Sequence, residues 1–207
     1  MTFDPTQVLV IASSRAKSDV ANKLVSMVLH KLSLECLSGL TVRSQAYRMA
    51  VHQAFGDSCP YCGRRLERNT TVAEHLDAMN RFRAGLHVPG NVLPACKACN
   101  SKKRRDDQQK DLRLADSGWA NFLSHDGTKC SDDCPTCSYW VSVLGTEERT
   151  EALSRSRQRI EDFRVQYLPP LAPSMSARAQ VLLWDFYKES QGAAAKMASE
   201  VVARVLR

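Results

Sequence analysis

The sequence predicts an α+β chain, with helical segments at both ends around a central module of short strands, a long loop and a helix. Three observations carry this. Apolar residues recur at helical spacing between residues 15 and 55, and sparse apolar positions on a charged background follow residue 147. Gly63, Gly85, Pro89, Gly90 and Pro94 punctuate residues 59–95, which suits short strands joined by a loop. Seven of the eight cysteines lie between Cys59 and Cys137, and only Cys36 falls outside.

Residues 15–38 read as an amphipathic helix with Val20, Leu24, Met27, Val28 and Leu32 on its apolar side and Gly39 as its stop. Residues 42–55 read as a second helix burying Val42, Ala46, Met49, Ala50 and Phe55, closed by Gly56-Asp57-Ser58. A third helix begins near Lys97 and runs to about Asp116. Residues 124–138 are a polar, Cys-rich loop. Residues 147–167 read as a charged, partly exposed helix, with Leu153, Ile160, Phe163 and Tyr167 as its sparse apolar positions. Pro169, Pro170 and Pro173 break it, and Ser176 starts a last helix carrying Val181, Leu182, Trp184 and Phe186. The organisation expected is a helical segment over 1–58, a core over 59–116, a second Cys/His loop over 117–146 and a helical segment over 147–207.

The composition is that of a globular protein, 43% hydrophobic and 25% charged over 207 residues. No apolar run approaches a membrane span, and the N-terminus lacks the basic and apolar regions of a signal peptide. The expectation is a cytoplasmic chain with no membrane partner, in which clustered cysteines bind metal and do not form disulfides. The net charge of +7 is uneven. Residues 59–113 hold twelve basic and six acidic residues, whereas residues 114–207 hold eleven and twelve. A positive centre of this kind attracts a polyanion, chiefly through phosphate contacts; a solvated basic surface is the plain alternative.

Cys59-Pro60-Tyr61-Cys62 and Cys96-Lys97-Ala98-Cys99 are two C-x2-C pairs separated by 33 residues. Each such turn lets two sulfurs reach one ion, and four thiolates satisfy tetrahedral zinc. A structural zinc on Cys59, Cys62, Cys96 and Cys99 is the reading. His125, Cys130, Cys134 and Cys137 form a second set in a segment poor in core residues, which an ion would order. His125 is the nearest fourth ligand and Cys36 a distant alternative, better suited to a buried free thiol. Two structural zinc ions per chain are expected.

Between the knuckles stand Glu74-His75 and Asn91, and Asn100 directly follows Cys99. The pattern Cys59, Cys62, Glu74, His75, Asn91, Cys96, Cys99, Asn100 resembles the HNH endonuclease family, in particular its zinc-stapled restriction enzymes and a phage junction-resolving nuclease. The resemblance covers about 45 of the 207 residues. It implies two β-strands and a helix around a catalytic metal, the ββα-metal core, and a DNA endonuclease, of a restriction or phage-defence kind. Many relatives carry Pro and Gly-Gly soon after the histidine; here the chain reads Leu76-Asp77-Ala78-Met79-Asn80-Arg81-Phe82-Arg83-Ala84-Gly85, so the loop differs in shape.

Phosphodiester hydrolysis needs an activated water, a neutralised phosphate and a stabilised leaving oxygen. His75 is a competent base near neutral pH, and the resemblance implies the same role. Glu74 and Asn100 supply hard oxygen ligands suited to Mg²⁺ or Mn²⁺, and the resemblance puts the catalytic ion at these positions. Their plain alternatives are a strand-end acid and a helix cap. Glu74 and His75 are consecutive, and consecutive strand residues point to opposite faces, so the strand must end, twist or bulge there. The resemblance counts Asn91 with His75 among the catalytic positions and implies that it fixes the loop or orients that histidine; the plain alternative is a turn asparagine after Pro89-Gly90. Arg81, Arg83, Lys102, Lys103, Arg104 and Arg105 are the candidate DNA contacts. The competing reading is an inactive zinc-containing DNA- or RNA-binding protein. Cutting both strands at one site would call for a homodimer.

Overall fold

The computed structural model describes residues 7–37, 39–101 and 149–206. Among them are two helices, α1 (Gln7–Cys36) and α2 (Gln45–Phe55), then strands β1 (Thr71–His75) and β2 (Val92–Cys96). A short helical turn, α3 (Lys97–Ser101), follows β2 at once, and α4 (Arg149–Tyr167) and α5 (Ala172–Val205) complete the order. The described residues are therefore α+β, with one small sheet set among helices. No described helix is long and apolar enough to cross a membrane. Residues 102–148 lie outside the described residues, and with them most of the expected third helix and the whole second Cys/His set.

β1 and β2 pair antiparallel, Thr71 opposite Cys96 and His75 opposite Val92. Pro94, which has no N–H to donate, is accommodated because a two-stranded sheet consists of edges. The second knuckle pins the start of β1, Lys97 N–H donating to Thr70 O (2.8 Å), and the first knuckle closes on itself, Cys59 N–H donating to Arg64 O (2.8 Å).

Two apolar clusters hold the molecule. In the first, α2 and α4 cover the sheet. Ser44 caps α2 by accepting from Tyr47 N–H, and Tyr47, Val51 and Phe55 recur at i+4 along its buried face. These meet Ile160, Phe163 and Tyr167 of α4, with the rings of Phe55 and Phe163 5.2 Å apart. Tyr47 also ties helix to strand, its hydroxyl donating to Val92 O (2.7 Å) and accepting from Gly90 N–H (3.0 Å).

In the second cluster, α1 and α5 clasp the loop between the strands. Ala21, Val25, Leu29 and Cys36 of α1 face Ala172, Ala179, Leu183 and Tyr187 of α5, and Ala84, Leu86 and Val88 of the loop are buried against them. Burial of an aliphatic side chain such as Leu86 contributes about 1.5–3 kcal/mol. The terminal helical segments therefore shape the loop that follows β1 as well as flanking the module.

The expected helix faces require correction. Val20 and Met27 of α1 and Met49 of α2 are exposed, as are Val181, Leu182 and Trp184 of α5. The fully buried stripe of α1 runs through Ala21, Val25 and Leu29, with Val28 and Leu32 of the expected face packed half-buried beside it.

Backbone crowding makes the loop intolerant of added atoms. A Cβ on Gly85 would lie 1.8 Å from Asp77 O, and Gly85 N–H itself donates to Ala78 O (3.0 Å). At Gly90 the backbone has φ +77°, and a Cβ would approach Leu168 N to 2.6 Å. Gly85→Ala is accordingly expected to destabilise the fold by about 2–3 kcal/mol or more, as a lower urea midpoint at unchanged slope. An unchanged midpoint would contradict this loop packing.

Candidate metal centre and active site

The Sγ atoms of Cys59, Cys62, Cys96 and Cys99 all lie within 4.8 Å of one another. Cys62 and Cys96 Sγ are 3.8 Å apart. A tetrahedron with Zn–S bonds of ~2.3 Å has edges of about 3.8 Å, so this separation suits a shared ion and is far too long for a disulfide. All four thiols are free. Crowding makes them interdependent: hydrogen bonds from Cys62 and Cys99 push the Cys59 thiol far down, and those same contacts hold Cys99 up. Four thiolates at this distance need a cation among them. The group can hold one metal ion and is compatible with zinc.

Cys36, the distant alternative ligand, lies apart on α1. It is buried, its thiol 3.1 Å from Met175 Sδ, and burial raises its pKa. His125, Cys130, Cys134 and Cys137 lie outside the described residues, as do Lys102, Lys103, Arg104 and Arg105.

Asn100 follows Cys99 in the short turn α3, so the frame fixes its backbone. Its side chain reaches β1, where Nδ2 donates to Glu74 Oε2 in a short contact. The other carboxylate oxygen, Oε1, accepts from Tyr61 OH at 3.3 Å. Glu74 and Asn100 are both buried, and Tyr61 is fully enclosed. Burial, followed by the charge of Glu74, raises the Tyr61 pKa, which keeps the phenol a hydrogen-bond donor. Tyr61 was not foreseen, although its place inside the first knuckle puts it beside whatever that knuckle covers.

His75 is the last residue of β1, and the strand stays paired as far as His75 opposite Val92. Alternation is preserved: Glu74 turns to Tyr61 and Asn100, while His75 meets the loop. Its Nε2 lies 3.0 Å from His87 Nδ1, with ring centroids 5.2 Å apart. The His87 ring in turn packs on His30 of α1 at 5.4 Å. The half-buried His75 has its pKa lowered to about 4, first by desolvation and then by His87 and His30. The ring is neutral near pH 7. His87 is thus a second imidazole beside His75, which the sequence pattern passed over.

Asn91 fixes the loop. Its Oδ1 accepts from Asp77 N–H (2.8 Å), and its Nδ2 donates to Leu86 O (2.7 Å) and Asp77 O (3.2 Å). From outside the module Arg164 of α4 closes this knot, pairing with Asp77 and donating to Asn91 Oδ1 at 3.3 Å. Of the alternatives for Asn91, its hydrogen bonds serve the loop.

Of the two loop arginines, Arg81 is engaged within the fold. The Arg81 guanidinium donates to Asn22 Oδ1 (2.8 Å) and lies 4.2 Å from the ring centres of both Phe82 and Tyr187. This placement braces the loop against α1 and α5. Arg83 is half-buried beside a cleft that Asp77, Asn91 and Arg164 also line.

No protein-family model matches the chain, and no curated protein is recognisably similar to it in sequence.

Proposed function

We propose that this protein is a metal-dependent DNA endonuclease of the HNH type, with a restriction or phage-defence role. The observation that carries the reading is the meeting of Glu74 and Asn100 beside the four-cysteine frame, in the order strand, loop, strand, helix. Two oxygen-bearing side chains from separate elements converge there, and the adjacent strand end carries an imidazole.

Glu74 and Asn100 would hold Mg²⁺ or Mn²⁺, once the Asn100 amide turns about Cβ–Cγ to present Oδ1 in place of Nδ2. Bound there, a hard cation would neutralise phosphate charge and stabilise the leaving oxygen. Tyr61 OH keeps Glu74 Oε1 oriented. His75 removes a proton from water as the water oxygen forms its bond to phosphorus; the P–O3′ bond breaks, and the departing oxygen gains a proton from solvent. Lys102, Lys103, Arg104 and Arg105, directly after the turn bearing Asn100, supply phosphate contacts without sequence information, with Arg83 as a further candidate. A second zinc on His125, Cys130, Cys134 and Cys137 buttresses the core. A two-fold dimer would present one site to each strand.

Incubation with supercoiled plasmid in Mg²⁺ or Mn²⁺ tests the reading. The protein should convert plasmid to nicked or linear forms, and His75→Ala should slow this by about 10²–10⁴-fold, the usual contribution of a general base. If neither protein cuts, the DNA- or RNA-binding reading takes over; if both cut alike, the base is not His75.

A further inference from the structure

The contact between His75 and His87 has a consequence for which imidazole nitrogen does chemistry. A neutral imidazole carries one N–H and one lone pair, and the bond made by one nitrogen decides which remains on the other. His75 Nε2 and His87 Nδ1 are 3.0 Å apart, so one of the two nitrogens donates. If His87 donated, His75 would keep its proton on Nδ1 and present no lone pair to water.

We propose, building on the nuclease reading, that His87 is the positioning residue of the base: its Nδ1 accepts from His75 Nε2–H and thereby leaves His75 Nδ1 bare to take the proton of the attacking water. The chain of support reaches well beyond the strand. His87 N–H donates to Ser33 Oγ (2.7 Å), and Ser33 Oγ donates to Leu29 O (2.6 Å), both within α1. Ser33 is buried, and its neighbour in the core, Leu29, is fully enclosed. His30, one residue on, lays its ring against His87. Leu86 and Val88, on either side of His87, are buried between α1 and α5. An N-terminal helix outside the strand-loop-strand module thus sets the orientation of the proposed base. Such outer partners of reactive groups fix tautomer and ring direction, and losing one typically costs 10–100-fold in activity.

Substitutions at 87 leave the main-chain bond to Ser33 in place, so the loop anchor survives them. The full zinc-loaded chain should be compared as wild type, H87A, H87N and H87Q, with H75A as the inactive reference. H87A should lower the single-turnover cleavage rate about 10–100-fold while zinc content and DNA affinity stay unchanged. H87N places an oxygen at the Nδ1 position and should recover most of the rate; H87Q, whose polar atoms lie one bond farther, should not. Nitrogen-15 NMR supplies a readout independent of cleavage: His75 should be the Nε2–H tautomer in wild type and in H87N, and lose that preference in H87A. An H87A rate equal to wild type beside a dead H75A, or an Nδ1–H tautomer of His75 in wild type, overturns the positioning role and leaves the nuclease reading standing. Absence of cleavage by wild type overturns both.

Discussion

Cys96→Ser should unfold the central module and release one equivalent of zinc. Cys96 closes β2, and its thiol shares the frame with Cys59, Cys62 and Cys99. It is also part of the apolar cluster formed by α2, the sheet and α4. Structural zinc contributes on the order of 10 kcal/mol to folding of small modules, against a whole-domain stability of about 5–15 kcal/mol. A hydroxyl cannot replace the thiolate, and the remaining three sulfurs lose the cation that reconciles them. The variant should show lost near-ultraviolet circular dichroism, rapid proteolysis and one zinc fewer per chain than wild type. Cys36→Ala, which alters only the thiol beside Met175, should retain full zinc content. A Cys96→Ser protein that keeps its zinc and its unfolding midpoint would show that the four sulfurs are not a metal site.

Glu74→Gln should abolish metal-dependent cleavage while sparing the fold. The amide keeps the shape of the carboxylate; its one oxygen can accept from Asn100 Nδ2 while its NH2 donates to the Tyr61 hydroxyl, so neither polar group is left buried without a partner. Glu74→Ala leaves those groups without this acceptor and so costs a further 1–3 kcal/mol or so of stability. Charge distinguishes the two roles of the residue. A hard divalent ion depends on an anionic oxygen ligand, and metal assistance worth several kcal/mol converts to about 10²–10⁴ in rate. Asn100→Ala should act in the same direction through loss of the second ligand. DNA binding by mobility shift should persist in all three. Cleavage by Glu74→Gln at the wild-type rate and with the same Mn²⁺ dependence would remove the ion from this site.

The sequence made the cysteine frame legible because a C-x2-C turn is local chemistry: two sulfurs three residues apart must point together. That Glu74 and Asn100 meet was legible for a related reason, since Asn100 directly follows Cys99 and Glu74 lies on the strand paired with the one that ends at Cys96. What escaped was set by distance along the chain. Arg164 reaches Asp77 and Asn91 from a helix 73 residues beyond Asn91, and nothing near Arg164 signals it. His87 was passed over because a lone loop histidine has no periodicity; only the packing of Leu86 and Val88 between α1 and α5 carries it to His75. The helix faces were misread where two apolar stripes share one period, and the choice between them is made by the partner helix. Arg81 shows the same limit for charge: its guanidinium sits among Phe82, Tyr187 and Asn22, drawn from three parts of the chain.

The central claim is that His75 acts on a phosphodiester held at the Glu74–Asn100 pair. Its most direct measurement is the single-turnover cleavage rate of DNA by wild type and His75→Ala, with both proteins matched in zinc content and DNA affinity and saturated with Mn²⁺. The account predicts cutting by wild type and a fall of at least about 100-fold in the variant. Equal rates, or no cutting by a zinc-loaded wild type, would contradict it.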